Sequence, residues 1–230
     1  MKYGLAVFDL DGTLLNTLED LAAACNYVLA QNGFPEREVQ EYRYLVGNGI
    51  RSLVQHMLPP QHRDDDSVLR CLHAQFTDRY AANDCVHTRP YDGILPLLTA
   101  LRESQVHVAV LSNKSHVYVP SLVEHFFPGL TELAYGQRDG VPRKPDPSAL
   151  LEIIRHFGVD STQCAYIGDS DVDMHTGRNA GVYTVGACWG FRPKKELVEA
   201  GALCTADKPE QLYQILVDNS KDLGYTAIKK

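Results

Sequence analysis

The feature that most restricts how this chain can fold is the alternation that begins near residue 90. Short apolar runs at 106–111, 133–136, 164–167, 183–187 and 202–205 are separated by helical spacing over 93–103, 115–126, 147–157, 172–180 and 208–218. Apolar runs of this length, bounded by turn signals, read as strands buried on both faces. Strand and helix in regular succession build a parallel sheet covered by helices on both sides, a doubly wound α/β fold. Leu5 to Phe8 has the same character and adds a strand at the start of the chain.

Residues 16–88 break this rhythm. Leu18, Leu21, Ala22, Cys25, Val28 and Leu29 form one helical stripe, with Asn16 and Glu19 resembling a capping box at its start and Asn32-Gly33 stopping it. Further helical stretches follow Pro35, one of them over 66–82, interrupted at Gly47-Asn48-Gly49 and Pro59-Pro60, and no strand is expected there. The economical organisation is a Rossmann-like core of residues 1–15 and 89–230 with an all-helical cap inserted over 16–88. Such an insert leaves the sheet at the C-terminal end of its first strand, where it is placed to act as a lid.

Composition narrows the partners. A formal net charge of −7 over 230 residues, with no cluster of Lys and Arg, argues against a nucleic-acid binder. No segment approaches the length of a membrane span, and Asp9 interrupts the N-terminal apolar run, so a soluble, cytoplasmic protein is expected. Six cysteines without a Cys-x-x-Cys pair are expected to be reduced thiols. Cys71-x-His73 and Cys85-x-His87 offer four zinc-type ligands, but on a helix over 66–82 Cys71 and His73 point to different sides, so no zinc site is expected. The closing "DNSKDLGYTAIKK" carries no motif and reads as a frayed polar tail.

The chemistry gathers where the strands end. "LAVFDLDGTLLNT" closes an apolar run with Asp9 and Asp11, a costly pairing of like charges, although Asp11-Gly12 alone is also an ordinary turn. "VLSNK" brings the hydroxyl of Ser112 and the amide of Asn113 ahead of a helix expected from near Ser115, a natural place to hold an anion. "PRKPDPSAL" presents Lys144 before a helix starting at Pro147, and "YIGDSDVDMHTGRNAG" presents Asp169, then Asp171 and Asp173, on the way into a helix stopped by Gly181. In an open α/β sheet all of these fall on one ligand-binding edge. Asp9, Asp11 and Asp169 together need a hard cation, for which Mg²⁺ is the natural choice. Lys144 and Ser112 suit a phosphoryl group, whose transfer depends on positioning and charge neutralisation. One aspartate can attack phosphorus while the other gives a proton to the leaving alcohol.

The ordered set "DLDGT", "LSN", "KPDP" and "GDSDVD" resembles the haloacid dehalogenase superfamily over essentially the whole chain. The resemblance implies Asp9 as nucleophile, Asp11 as general acid and base, and Ser112 and Lys144 as phosphate ligands, with Lys144 also counted in the catalytic set. It implies Mg²⁺ held by Asp9, Asp169 and the Asp11 carbonyl, with Asp173 supporting Lys144 or the metal shell. Thr13 and Asn113 are further substrate-side candidates. Asp171 has no counterpart and reads as helix N-terminal charge.

The small helical cap is similar to that of phosphoglycolate phosphatases, in which a loop like Gly47-Asn48-Gly49 followed by Arg51 dips toward the substrate; Gly47, Asn48 and Arg51 are therefore candidates for substrate contact. The expected activity is a Mg²⁺-dependent hydrolysis of small phosphorylated metabolites through a phospho-aspartate. A phosphonatase needs a cap lysine, and none stands between Lys2 and Lys114. A phosphomutase of the β-phosphoglucomutase kind, a pyrophosphatase and a receiver-type phospho-acceptor domain are the alternatives.

Overall fold

The computed structural model of the protein describes residues 2–217; the polar tail read in the sequence lies outside the described residues. The sheet begins with β1 (Leu5–Phe8), and the chain then forms a two-residue strand, β2 (Leu15–Asn16). The insert follows: α1 (Leu18–Gln31), a 3₁₀ segment over Val39–Tyr44, α2 (Ile50–Met57), a 3₁₀ turn over Pro60–His62, and α3 (Asp66–Ala81). The chain returns through β3 (Arg89–Pro90) and enters the alternation: α4 (Ile94–Glu103), β4 (His107–Ser115), α5 (Val119–Phe126), β5 (Leu133–Gln137), α6 (Ser148–Phe157). It closes with β6 (Cys164–Gly168), α7 (Asp171–Ala180), β7 (Tyr183–Ala187), α8 (Lys194–Glu199), β8 (Cys204–Ala206) and α9 (Pro209–Val217).

Six strands form one parallel sheet in the order β5-β4-β1-β6-β7-β8. Because side chains alternate along a strand, β1 feeds both cores. Leu5 and Val7 join Leu150 and Ile153 of α6 and Val182 beyond α7; Ala6 and Phe8 join Leu98 of α4, Leu122 of α5 and Leu212 of α9. The doubly wound architecture expected from the sequence is the one observed.

Three local expectations need correction. Helix α5 starts at Val119, not near Ser115, because the chain stays extended through Ser115, which pairs with Gln137 after a shift in register beyond Leu111. Asn16 and Glu19 form no capping box: Asn16 is held opposite Arg89 in the β2–β3 pair, and Thr17 takes the N-cap position without a side-chain cap bond. The expectation of no strand over 16–88 fails only at Asn16, the last residue of an antiparallel pair at the insert's edge that clamps the outgoing and returning chains side by side.

The same clamp contains a buried carboxylate. Asp20, in the first turn of α1 and 3% exposed, accepts hydrogen bonds from the backbone N–H groups of His87 and Thr88 and from the Thr88 hydroxyl at 2.8 to 3.0 Å. Buried donors deprived of their acceptor cost about 1–3 kcal/mol. Asp20→Ala is therefore expected to lower stability by about 2 kcal/mol. Urea unfolding monitored by circular dichroism checks this; an unchanged midpoint would remove Asp20 from the clamp.

Candidate active site

Each polar residue singled out at a strand end sits at the C-terminal edge of the sheet. Asp9 follows β1 directly, its N–H bonded to the Ile167 carbonyl at 2.9 Å, so the ladder fixes where its side chain emerges. The turn after it needs Gly12: with φ +89, a Cβ there would stand 2.2 Å from an Asp169 carboxylate oxygen. Asp169 follows β6, and Ser112, Asn113 and Lys114 lie in the last part of β4.

Lys144 is the hub. Its buried Nζ lies 2.8 Å from Asp9 Oδ1, 2.8 Å from Asp173 Oδ1, 3.0 Å from the Tyr166 hydroxyl and 3.2 Å from the Leu111 carbonyl oxygen. Burial alone would discharge the ammonium, but Asp173 and Asp9 outweigh it and hold the pKa well above that of an ordinary lysine. Its main chain is fixed by one side chain: Asn113 Oδ1 accepts from the Lys144 N–H at 2.9 Å, and Asn113 Nδ2 donates to the Lys144 carbonyl at 3.1 Å and to the Gly47 carbonyl at 2.9 Å. The Asn113 amide thus spends its capacity on the protein and ties the lysine loop to the cap.

Asp173 is likewise spent. One oxygen takes Lys144 and Tyr166; the other takes the N–H and hydroxyl of Ser170 at 3.1 and 2.6 Å, within a capping box at the start of α7. A carboxylate offers about four lone-pair sites, and these four bonds use them. Asp171, two residues earlier, is exposed in the first turn of α7, in keeping with its reading as surface or helix N-terminal charge.

The remaining carboxylates are less compensated. Burial pushes the Asp9 carboxyl up to about 7, with Lys144 opposing and Asp173 and Asp11 adding to the rise. Burial, then Asp173 and Asp9, raise Asp169 well above the usual carboxylate range, against the N–H of Phe191, which donates to it at 2.7 Å. Asp11 pairs with Lys114 at 3.2 Å, and the same ammonium reaches the hydroxyl of Tyr80 on α3 at 2.8 Å.

Four aspartates therefore meet two lysines, an excess of two negative charges in a buried site. Ligand oxygens of Asp9, Asp169 and Asp173 lie within 4.8 Å of one another. A hard divalent cation fits this all-oxygen, charge-deficient set, with Asp9 and Asp169 as the donors left open.

A partly open cavity lies over this edge. Asp9, Asp11, Ser112, Asn113, Lys144 and Gly47 line it. Thr13 stands behind it, its hydroxyl 3.3 Å from Asp169 Oδ1. Asn48 and Arg51 are not brought to the cavity: the Asn48 carbonyl accepts from Arg143 at 3.4 Å, and the exposed Arg51 pairs with Asp66 at 3.2 Å. On α2 the residues turned inward are Ile50 and Leu53, which leaves position 51 on another side of the helix. Sequence reading missed Lys114, Tyr80 and Ser170. Lys114 stands beside Ser112 and Asn113 in "VLSNK", whereas Tyr80, on a helix of the insert remote in sequence, carries no local signal.

Cap and core are joined by arginines from both sides. Arg43 donates to the carbonyls of Phe191 and Gly190 at 3.0 and 2.6 Å, and Arg192 donates to the carbonyls of Arg43 and Val46.

A helical lid over a carboxylate and lysine cluster at the edge of a parallel sheet defines a hydrolase of the haloacid dehalogenase-like kind. The chain belongs to that family: its profile matches residues 6–187. The chain is 32% identical over 225 residues to the N-acetylmuramic acid 6-phosphate phosphatase of Pseudomonas aeruginosa, covering 94% of this chain and 96% of the relative. It is 36% identical over 191 residues to a phosphoglycolate phosphatase of Pseudomonas putida, covering 81% and 70% of the two chains. A solved structure from Lactobacillus delbrueckii subsp. bulgaricus, provisionally assigned as a phosphoglycolate phosphatase, superposes with a TM-score of 0.89 at 32% identity, covering 94% of this chain and 99% of that one. Among the described residues, no helix is long and apolar enough to cross a membrane.

The charge imbalance sets an expectation for the metal-free protein. A carboxyl whose folded pKa is raised binds its proton more tightly in the folded state, so stability is lost as pH rises from the unfolded value of 3.8 through the folded value of about 7. In chelator, Asp169→Asn is expected to melt above the unsubstituted protein at pH 8, by about 2–4 °C for each kcal/mol of repulsion removed, with the gap closing toward pH 4. Calorimetry at both pH values checks this, and a variant that melts lower at pH 8 would contradict the imbalance.

Proposed function

We propose that this protein is a Mg²⁺-dependent phosphatase of small phosphorylated metabolites, working through a phospho-aspartate on Asp9 in the manner of phosphoglycolate phosphatases. The observation that carries the reading is the common placement of Asp9, Asp11, Ser112 and Lys144 on the floor of one lidded cavity. The names of the relatives support the reaction class, and the charge-deficient oxygen set supports the metal.

Asp9 Oδ1 is held by Lys144, leaving Oδ2 to attack phosphorus as the ester P–O bond breaks and an acyl-phosphate forms. Asp11 gives its proton to the departing alkoxide, then takes one from the water that attacks the acyl-phosphate, releasing inorganic phosphate and restoring Asp9. Lys114 faces Asp11 and fixes its direction. The Ser112 hydroxyl and the Lys144 ammonium bind the phosphoryl oxygens while Asn113 and Asp173 keep Lys144 in place. Asp9 and Asp169 would hold Mg²⁺, which supplies charge neutralisation for the phosphoryl group. The cap excludes water from the site when it is docked.

Phosphate release from a panel of small esters and pyrophosphate is expected with Mg²⁺ and is expected to vanish in chelator. Asp9→Asn should abolish turnover with the fold intact by circular dichroism; substantial activity in that variant would sink the mechanism. Asp11→Asn should slow both formation and hydrolysis of the phospho-enzyme in rapid-quench experiments, by roughly 10²–10⁴-fold. Phosphorylation of Asp9 without release of phosphate would favour the mutase or receiver readings.

A further inference from the structure

The cavity over Asp9 has two unlike halves. Its floor is polar and belongs to the core. Its far wall is Leu21, Val46, Ile50, Leu53 and Phe76 of the insert, continued by Tyr118. The aromatic part of that wall is fixed: the rings of Phe76 and Tyr80 stack at 5.5 Å with 7° between their planes, and Tyr118 meets Tyr80 edge-on at 5.4 Å.

No charged side chain of the insert lines the cavity. The arginines near it are engaged elsewhere. Arg51 pairs with Asp66 at the surface, Arg43 holds the carbonyls of Phe191 and Gly190, and Arg37 donates to the Met57 carbonyl at 2.7 Å. Arg143, exposed and from the core, donates to the Asn48 carbonyl at 3.4 Å beside Gly49 and is not among the residues that line the cavity. Lys114, which lines the cavity at the seam, is committed on both sides, to Asp11 and to the Tyr80 hydroxyl. A leaving group bearing a carboxylate would therefore lie against leucine and phenylalanine, with no cation of the insert in the cavity lining to receive it, at a cost in desolvation. An uncharged carbon skeleton in the same place buries apolar surface favourably, the usual arrangement of a small-molecule site.

Resting on the phosphatase reading above, we propose that the preferred substrates are phosphomonoesters of uncharged alcohols that turn an apolar or aromatic face to Ile50, Leu53 and Phe76. The anionic glycolate of 2-phosphoglycolate is the poorer leaving group for this wall. Ile50, Leu53 and Phe76 are thus specificity-determining residues, while the core carries the chemistry.

Steady-state kinetics with Mg²⁺ on 2-phosphoglycolate, isobutyl phosphate and benzyl phosphate test this. Isobutyl phosphate replaces the carboxylate with an isopropyl group of similar shape. In kcat/KM it is expected to exceed 2-phosphoglycolate roughly tenfold or more, with benzyl phosphate higher again, the scale expected of hydrophobic discrimination. Ile50→Arg, at a half-buried position that can take a longer side chain, should bring the ratio of 2-phosphoglycolate to isobutyl phosphate up at least tenfold. A higher kcat/KM for 2-phosphoglycolate than for isobutyl phosphate in the unsubstituted protein would overturn the proposal while leaving the phosphatase reading intact. So would an unchanged ratio in folded Ile50→Arg. No phosphate release from any of the three esters overturns the phosphatase reading and the substrate class with it.

Discussion

The buried ammonium of Lys144 is the interaction on which the site depends. Placed between Asp9 and Asp173, it makes tolerable a density of negative charge that burial would otherwise neutralise by protonation. Everything around it serves its position. Tyr166 comes from inside β6, Ser170 and Asp173 from the start of α7, and Asn113 from β4, so three neighbouring elements of the core converge on one side chain. Even with Lys114 paired to Asp11, two lysines cannot balance four carboxylates, and the shortfall leaves Asp9 and Asp169 open to a cation.

Much of this was legible in the sequence for a simple physical reason: strand ends in a parallel sheet are marked by the change from buried apolar to polar residues. Asp9, Ser112, Lys144 and Asp169 stand at or near such changes, and the topology then brings them together without further information. The residues that escaped are those whose partners are remote. Lys114 is adjacent to the motif, but only the approach of α3 from the insert gives it Tyr80. Asp20 carries no signal of its own in a first helical turn, because its partners, His87 and Thr88, lie on the returning chain. Asn113 was read as an anion holder, whereas its amide is absorbed by the main chain of Gly47 and Lys144.

The cap loop illustrates the limit of motif reading. Gly47 does reach the cavity, yet neither Asn48 nor Arg51 lines it, and at position 51 the reason is that the helix beginning at Ile50 turns its apolar side inward. Helical period, not proximity to the loop in sequence, decides which side chains meet a substrate. The division that results is between a core that fixes charge and a cap that fixes shape, sewn together by guanidinium groups that hold main-chain carbonyls.

The central position of β1 has a consequence for how the molecule comes into being. This strand is made before both of its neighbours, β4 and β6, which stand about 100 and 160 residues downstream, a large separation for contacts that must close a sheet. The helices of the insert make contacts among themselves and can form while β1 waits. The strand that delivers Asp9 is locked on both edges only after Cys164 to Gly168 have emerged. Asp9 is thus made ahead of both neighbours of its strand and held in place only once the second of them exists.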